Sequence, residues 1–402
     1  MYSLHLSAEQ LEFRDTVRGF VDGEVKPVVL KADRLDADIR AVPLDVLDKA
    51  SHMGLRTLAL SEALGGVGAD ALTCCLVVEE LAAGDAGIAT VLAETMALGG
   101  ALFPAMDEAQ RGRFLKAFVD DDRCHLALAD HEPDTDTALG IDYHRATGGT
   151  RRVRTKAMRQ GDNFIVNGVK DCVVNAPVAR LIAVEADTGD GIRVLLIPAD
   201  AKGLTVNESP APRWYHGSRG EVILQDCAVP AGNALPAGLS LRGDPGRGSP
   251  LAQAVNLGIG RAAYEAALDY AQLRVQGGRA IVEHQAIGGK LAEVAIRLEI
   301  ARNAVWQAAW ASDHPAARDD RSLPDLPLTF VAQVVAGEAI YRAVKDAAEC
   351  FGAMGVMRDM PLQKYITDAR ICLYSGDGAS DAKLRIAEVI AGFRRTTLLA
   401  AE

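Results

Sequence analysis

The stretch "DNFIVNGVKDCVV", residues 162–174, lies mid-chain and does not read like its surroundings. Phe164 and Val166 alternate with other residues up to Asn167-Gly168, a dipeptide that favours a tight two-residue turn, so the segment predicts a β-hairpin. The runs "IRVLLIPA" (192–199) and "EVILQDCAVP" (221–230) are bounded by glycine and proline and extend the β reading over residues 125–240. No strand hands over to a helix through a glycine-rich phosphate loop, which disfavours a βαβ dinucleotide fold.

On both sides the pattern is helical. Ser7-Ala8-Glu9-Gln10 precedes Leu11, Phe13 and Val17 as a serine N-cap would, and Pro43–Met53 and "TCCLVVEELAAGDAG" (73–87) give further helical segments. The loop "LSEALGGVGAD" (60–70) separates them, broken by Gly65, Gly66 and Gly68. Beyond residue 250, Ile287, Leu291, Val294, Leu298, Ala301 and Val305 follow a 4-3-4-3-4 spacing suited to a helix bundle. A second such helix, "TFVAQVVAGEAIYRAVKDAAEC", closes at Gly352 and follows the linker "RDDRSLPDLPL". The expected fold class is therefore α+β multidomain: a helical domain over residues 1–124, a β-domain over 125–240 and a helical domain over 241–402.

Bulk properties narrow the function. A chain of 402 residues exceeds one core, and a net charge of −11 lacks the basic footprint of a nucleic-acid binder. No apolar run of spanning length is expected, and "MYSLHLSAEQLEFRDTV" lacks the basic and apolar regions of an export signal. Seven cysteines without CxxC spacing, two of them adjacent at 74–75, read as reduced thiols of a cytoplasmic protein, and no metal site is expected.

Four passages, in this order, resemble the acyl-CoA dehydrogenase family over essentially the whole chain. "SEALGGVGAD…VVEELAAGDAGIAT" is similar to the family's P-E-x-x-G-G-x-G loop and E-E-L-A helix, and "TKAMRQGDNFIVNGVKDCVVNA" to its T-K-A…N-G-x-K-x-W-I-T-N strands. "LRVQGGRAIVEHQAIGGKLAEVAIRLEIAR" is similar to its R-x-x-F-G…Q…L-A helix pair, and "ECFGAMGVMRDMPLQKYITDARICLYSGDG" to its closing block. The resemblance implies an N-terminal helical domain, a middle β-barrel-like domain and a C-terminal four-helix bundle, commonly tetrameric. It also implies FAD, an acyl-CoA or acyl-carrier thioester as substrate, an electron-transfer partner and a role in lipid metabolism. In that chemistry a carboxylate removes the proton α to the thioester while the flavin accepts the β-hydride.

Several family positions are altered. The usual glutamate base falls on Gly376, and the alternative position falls near Gly248, with no Asp or Glu between Arg247 and Arg261. Asp377 in the glycine-flanked turn is either a displaced base or a cap of the following helix, together with Ser380 and Asp381. Glu94 and Asp130 lie in segments where the family lines its substrate and flavin sites, and Ser375 and Gly376 would border the substrate. A third explanation needs no base: a non-catalytic subunit completing another chain's FAD site, or a flavin-dependent oxygenase.

For the cofactor, the resemblance assigns Arg274 to the pyrophosphate, Gln285 to a neighbouring subunit's flavin, Gly352 to a close backbone approach and His131 to the pyrimidine end. Cys172 replaces the shielding aromatic and Val174 the hydroxyl near the ring, while Gly277, Glu349 and Gly378 replace a phenylalanine, a glutamine and a threonine. Between Pro133 and Thr155 an insertion carries Arg145, Arg151, Arg152 and Arg154, which suit either phosphates or a solvated hairpin tip.

Overall fold

Capping sets the first helices. In a computed structural model, Ser7 accepts from the Gln10 N–H while the Gln10 side chain accepts from the Ser7 N–H, starting α1 (Ala8–Phe20) with a full capping box. The structure describes residues 5–31, 33–36, 41–133, 153–209, 213–239, 241, 249–319, 323, 326–374 and 378–391. The short α2 (Lys26–Val29) and α3 (Leu44–His52) follow, then α4 (Ala71–Gly84), α5 (Ala86–Ala105) and α6 (Glu108–Asp120). Asp70 caps α4 through the Thr73 N–H, and Asp85 ends α4 while capping α5 through the Ile88 N–H.

α5 corrects one expectation: it is long and apolar enough to cross a membrane by length and composition, with mean hydropathy 1.5 over its window. Of that window 72% is buried inside the fold, as in a core helix.

The β-domain comprises β1 (His125–Ala129), β2 (Lys156–Gln160), β3 (Asn163–Val174), β4 (Ala179–Asp187), β5 (Ile192–Pro198), β6 (Leu204–Glu208) and β7 (Arg219–Pro230). They form one curled sheet in the order β1-β4-β2-β3-β7-β6, with β5 paired to β4. Alternation along β4 and β5 feeds two cores. Ile182, Val184, Leu195 and Ile197 point to one, while Leu181, Ala183, Val194 and Leu196 meet Leu98, Leu102 and Phe118 of α5 and α6 in the other. Burial on both faces explains the unbroken apolar run 194–197.

The hairpin expected at Asn167-Gly168 is not there. β2 turns into β3 through Gly161-Asp162, and Asn167-Gly168 lies inside β3 at a register shift opposite β7. Space decides this: a Cβ at Gly168 would lie 2.5 Å from the Thr155 Oγ1, so the glycine marks a close crossing within the sheet.

The C-terminal domain holds α7 (Pro250–Leu273), a two-stranded hairpin β8 (Val275–Gln276) and β9 (Arg279–Ala280), α8 (Gln285–Asp313), the short α9 (Ala316–Asp319), α10 (Leu328–Cys350), α11 (Leu362–Tyr374) and α12 (Gly378–Ala391). The expected stripe on α8 is buried from Leu291 to Val305. A Cβ at Gly258 of α7 would lie 2.5 Å from both the Ala82 Cβ and the Glu79 carbonyl, so α7 and α4 touch nearly backbone to backbone. One apolar core consequently runs through both helical domains.

Candidate functional site

The glycine-flanked turn Ser375-Gly376-Asp377 lies outside the described residues, but the helix that delivers it does not. α11 ends at Tyr374 and is tied to the β-domain near that end: the Trp214 Nε1–H donates to the Cys372 Sγ at 3.2 Å. One turn earlier the Asp368 carboxylate accepts from the Tyr215 N–H at 2.8 Å and from the Lys364 Nζ at 2.7 Å. Lys364 also meets Asp85 at 3.1 Å, and Asp85 is 2.7 Å from the Nδ1 of His216. All four side chains are buried.

Burial alone would raise the Asp85 carboxyl. The Lys364 ammonium and His216 outweigh it and hold the group well below the usual range, whereas burial keeps Asp368 raised. This cluster joins the first helical domain, the β-domain and the bundle along α11, the helix that precedes the turn in sequence. Asp85, His216 and Lys364 are far apart in sequence, and no local pattern joins them.

On the β-domain, Asp130, His131 and Glu132 follow β1. The Asp171 N–H donates to the His131 carbonyl at 3.1 Å, drawing this segment alongside β3, and the His131 Nδ1 and Asp171 Oδ1 meet in a short hydrogen bond. Glu132 is buried and fully bonded: it accepts from Lys170 at 2.8 Å, from the Thr155 hydroxyl at 2.7 Å and from the Arg154 and Thr155 N–H groups. Burial would raise its pKa, but Lys170 and Thr155 outweigh that and hold it at about 2.

Cys172 sits in a β-bulge, where the register with β7 shifts between Lys170 and Val173, with φ +55°. Its carbonyl accepts from the Arg219 Nε at 3.3 Å. Val174 turns away from the sheet core and packs on the helical core. Asn175 (φ +68°) then donates to the carbonyls of Val91 and Leu126 at 2.9 and 3.1 Å. His125 lies beside Thr95 in the same buried patch, and burial lowers its pKa to about 4.

A second patch forms at one end of the bundle. The rings of Tyr270 and Phe351 stack, and the Arg274 N–H donates to the Tyr270 carbonyl at 2.8 Å, so the C-terminus of α7 meets the C-terminus of α10. There Gly352 takes φ +56° and ends α10, with nothing within 4 Å of where its Cβ would be. The tight hairpin Gly277-Gly278 turns the chain so that the His284 Nε2 meets the Gln276 carbonyl at 2.9 Å, which starts α8 at Gln285 beside the same end. Arg274 is exposed and has no ion-pair partner among the described residues.

The expected residues thus fall into groups. Arg274, Gln285 and Gly352 come together; Asp130 and His131 lie beside the bulge; Val174 lies at the β-helical boundary. Glu94 is half-buried on α5. Glu349 pairs with Lys290 at the surface. Of the insertion's arginines, Arg154 is described, with its N–H on Glu132; Arg145, Arg151 and Arg152 lie outside the described residues, as does Gly248. Nothing in the sequence joins Asp171 to His131; only the packing of the segment after β1 against β3 does.

Comparisons with known proteins agree along the chain. Residues 7–122 match the profile of the acyl-CoA dehydrogenase N-terminal domain and residues 247–390 that of the C-terminal domain. The probable acyl-CoA dehydrogenase YngJ of Bacillus subtilis strain 168 is 30% identical over 400 residues, covering 94% of this chain and 97% of its own. Butyryl-CoA dehydrogenase from Megasphaera elsdenii superposes with a TM-score of 0.78 at 25% identity, over 97% of this chain and 100% of that one. The prolyl acyl carrier protein oxidase AnaB shares the fold, with a TM-score of 0.77 at 22% identity over 96% and 100%.

Proposed function

The chain belongs to the acyl-CoA dehydrogenase family, and from that premise we propose that it is an FAD-dependent oxidoreductase desaturating an acyl thioester between its α- and β-carbons. The observation that carries this reading is the bundle end. An Arg274 guanidinium with no ion-pair partner among the described residues stands at the α7 terminus that the Tyr270–Phe351 stack joins to the left-handed Gly352. A guanidinium suits a pyrophosphate, and the open space at Gly352 admits close approach to the backbone, so these residues fit FAD. At the ring end His131 supplies a polar edge and Val174 supplies no hydroxyl.

FAD, when bound, supplies the acceptor for the hydride equivalent. The rest falls to the chain. Asp377, which follows in sequence the helix anchored by Lys364, Asp368 and the Trp214–Cys372 contact, would take the α-proton. A short acid between glycines in the sequence would suit a branched or cyclic acyl group. Electrons would leave through an electron-transfer partner. Arg274, Gln285 and Gly352 are surface groups, which supports a tetramer in which one chain's bundle end serves another's cofactor. Seven free cysteines support a reducing, cytoplasmic setting.

A second reading, a non-catalytic partner subunit, draws on Val174, which packs on the helical core instead of presenting a hydroxyl. One experiment separates the two. The chain purified alone should hold FAD, and an acyl-CoA series should bleach it anaerobically; Asp377→Asn should retain FAD and lose bleaching by roughly a hundredfold or more. Flavin that no thioester reduces, or colourless protein that gains FAD only from a second chain, overturns the first reading.

A further inference from the structure

We propose that Asn256 recognises a neutral hydrogen-bonding group, a hydroxyl or an amide, carried on the acyl chain of the thioester; this rests on the desaturation reading and names its substrate class. Asn256 is 1% exposed on α7, yet neither its Oδ1 nor its Nδ2 has a hydrogen-bond partner among the described residues. A carboxamide withdrawn from water with both groups unpaired is costly, and folded proteins seldom keep one without a use for it. Around it Ala254, Val255, Leu257 and Ile259 belong to the apolar core, so packing alone asks for an apolar side chain here. Gln253, three residues earlier on the same face, is buried as well.

The pairing of helices places this amide. α7 and α10 run in parallel: Tyr270 stacks on Phe351, and further back a Cβ at Gly260 would lie 2.9 Å from the Ile340 Cδ1. Asn256 precedes Gly260 by one helical turn on the same side, which sets it level with Gly337, about one turn before Ile340. There α11 packs in, since a Cβ at Gly337 would lie 3.5 Å from the Leu373 Cδ1. Leu373 is the residue before Tyr374, where α11 ends and the sequence runs on to Asp377. An acyl chain with its α-carbon at that base would extend inward past the unpaired amide.

The chemistry of the ligand follows from the amide's own groups. A carboxamide offers an acceptor and two donors and carries no charge. A hydroxyl donates and accepts, as does an amide, so either one satisfies Asn256. A carboxylate only accepts, which leaves the Oδ1 unpaired and buries a charge. A plain alkyl chain pairs nothing.

The test uses the flavin-loaded chain as purified and two thioester series of graded length, ω-hydroxyacyl-CoA and plain acyl-CoA. Anaerobic calorimetric titration should show the hydroxylated thioester bound roughly tenfold or more tighter at one chain length. N256L, which keeps the branched shape without polar atoms, should abolish that preference, bind plain chains more tightly and unfold at a higher temperature. Should N256L fail to fold, N256A is read for the same loss of preference, and the ratio in the unaltered chain tests the proposal with no variant at all. Equal affinity for the two series at every length marks an amide held by buried water alone and overturns the proposal, as does a preference that N256L and N256A both keep. Flavin bleaching is followed in the same samples. Bleaching by both series with equal affinity sinks this inference and leaves the desaturation reading, whereas a hydroxyl preference in binding without bleaching sinks desaturation and leaves recognition of the acyl chain.

Discussion

Tyr270 and Phe351 stack with ring centroids 4.3 Å apart and planes 15° from parallel. Each ring precedes a residue assigned to the cofactor, Arg274 by one helical turn and Gly352 by one position, so a contact between two aromatic side chains sets the spacing of a guanidinium and an open backbone turn. Phe351 is almost fully buried, and Phe351→Ala should cost about 3 kcal/mol or more of stability. Thermal unfolding and bound FAD, measured on the same sample, should fall together; FAD content unchanged in a destabilised variant would separate the stack from the cofactor.

Arg274 contributes nothing to the fold beyond its backbone cap, since its side chain is exposed and unpaired among the described residues. Arg274→Ala should leave the unfolding midpoint of flavin-free protein unchanged and weaken FAD binding by roughly ten- to a hundredfold, the value of charge-assisted hydrogen bonds to phosphate. Arg274→Lys should fall between, because an ammonium keeps the charge and loses the planar fork. Equilibrium dialysis against FAD reads both.

Acid should destabilise the protein in two windows. His125 titrates at about 4 in the folded chain against 6.5 unfolded, so the unfolded state alone binds its proton and stability falls as pH drops from about 6.5 to about 4. Glu132 titrates at about 2 against 4.5, so its contribution is complete above about 4.5 and is lost as pH falls toward 2. Denaturant unfolding across pH should flatten in the upper window for His125→Gln. Glu132→Gln should flatten the lower window and, by leaving Lys170 buried without its carboxylate, lower stability at neutral pH by about 3–5 kcal/mol.

Lys364 places its ammonium between Asp85 and Asp368, at 3.1 and 2.7 Å. Lys364→Met leaves two buried carboxylates facing each other and should cost about 3–5 kcal/mol. The double change Lys364→Met with Asp368→Asn should recover part of that loss. Calorimetry decides; additivity of the two single changes would show that the groups do not act together.

Much of the scaffold was legible because its signals are local. Ser7 and Gln10 cap a helix through contacts three residues apart, the stripe from Leu291 to Val305 needs one helix face, and Gly352 ends its helix by its own backbone angle. Asn167-Gly168 misled for the same reason: the dipeptide carries a turn preference, but Thr155 crossing at 2.5 Å from the would-be Cβ put the glycine inside a strand. Arg274, Gln285 and Gly352 belong to separate passages of the sequence, at the ends of α7 and α10 and the start of α8.

By itself the sequence determined the succession of helical, β and helical segments, since periodicity, caps and breakers act over a few residues. Tertiary structure alone decided which distant groups meet: Lys364 with Asp85, Trp214 with Cys372, and Asp171 with His131. Those meetings depend on how layers pack and on where one strand bulges, and no single stretch of chain carries the desolvation and close approach that make them.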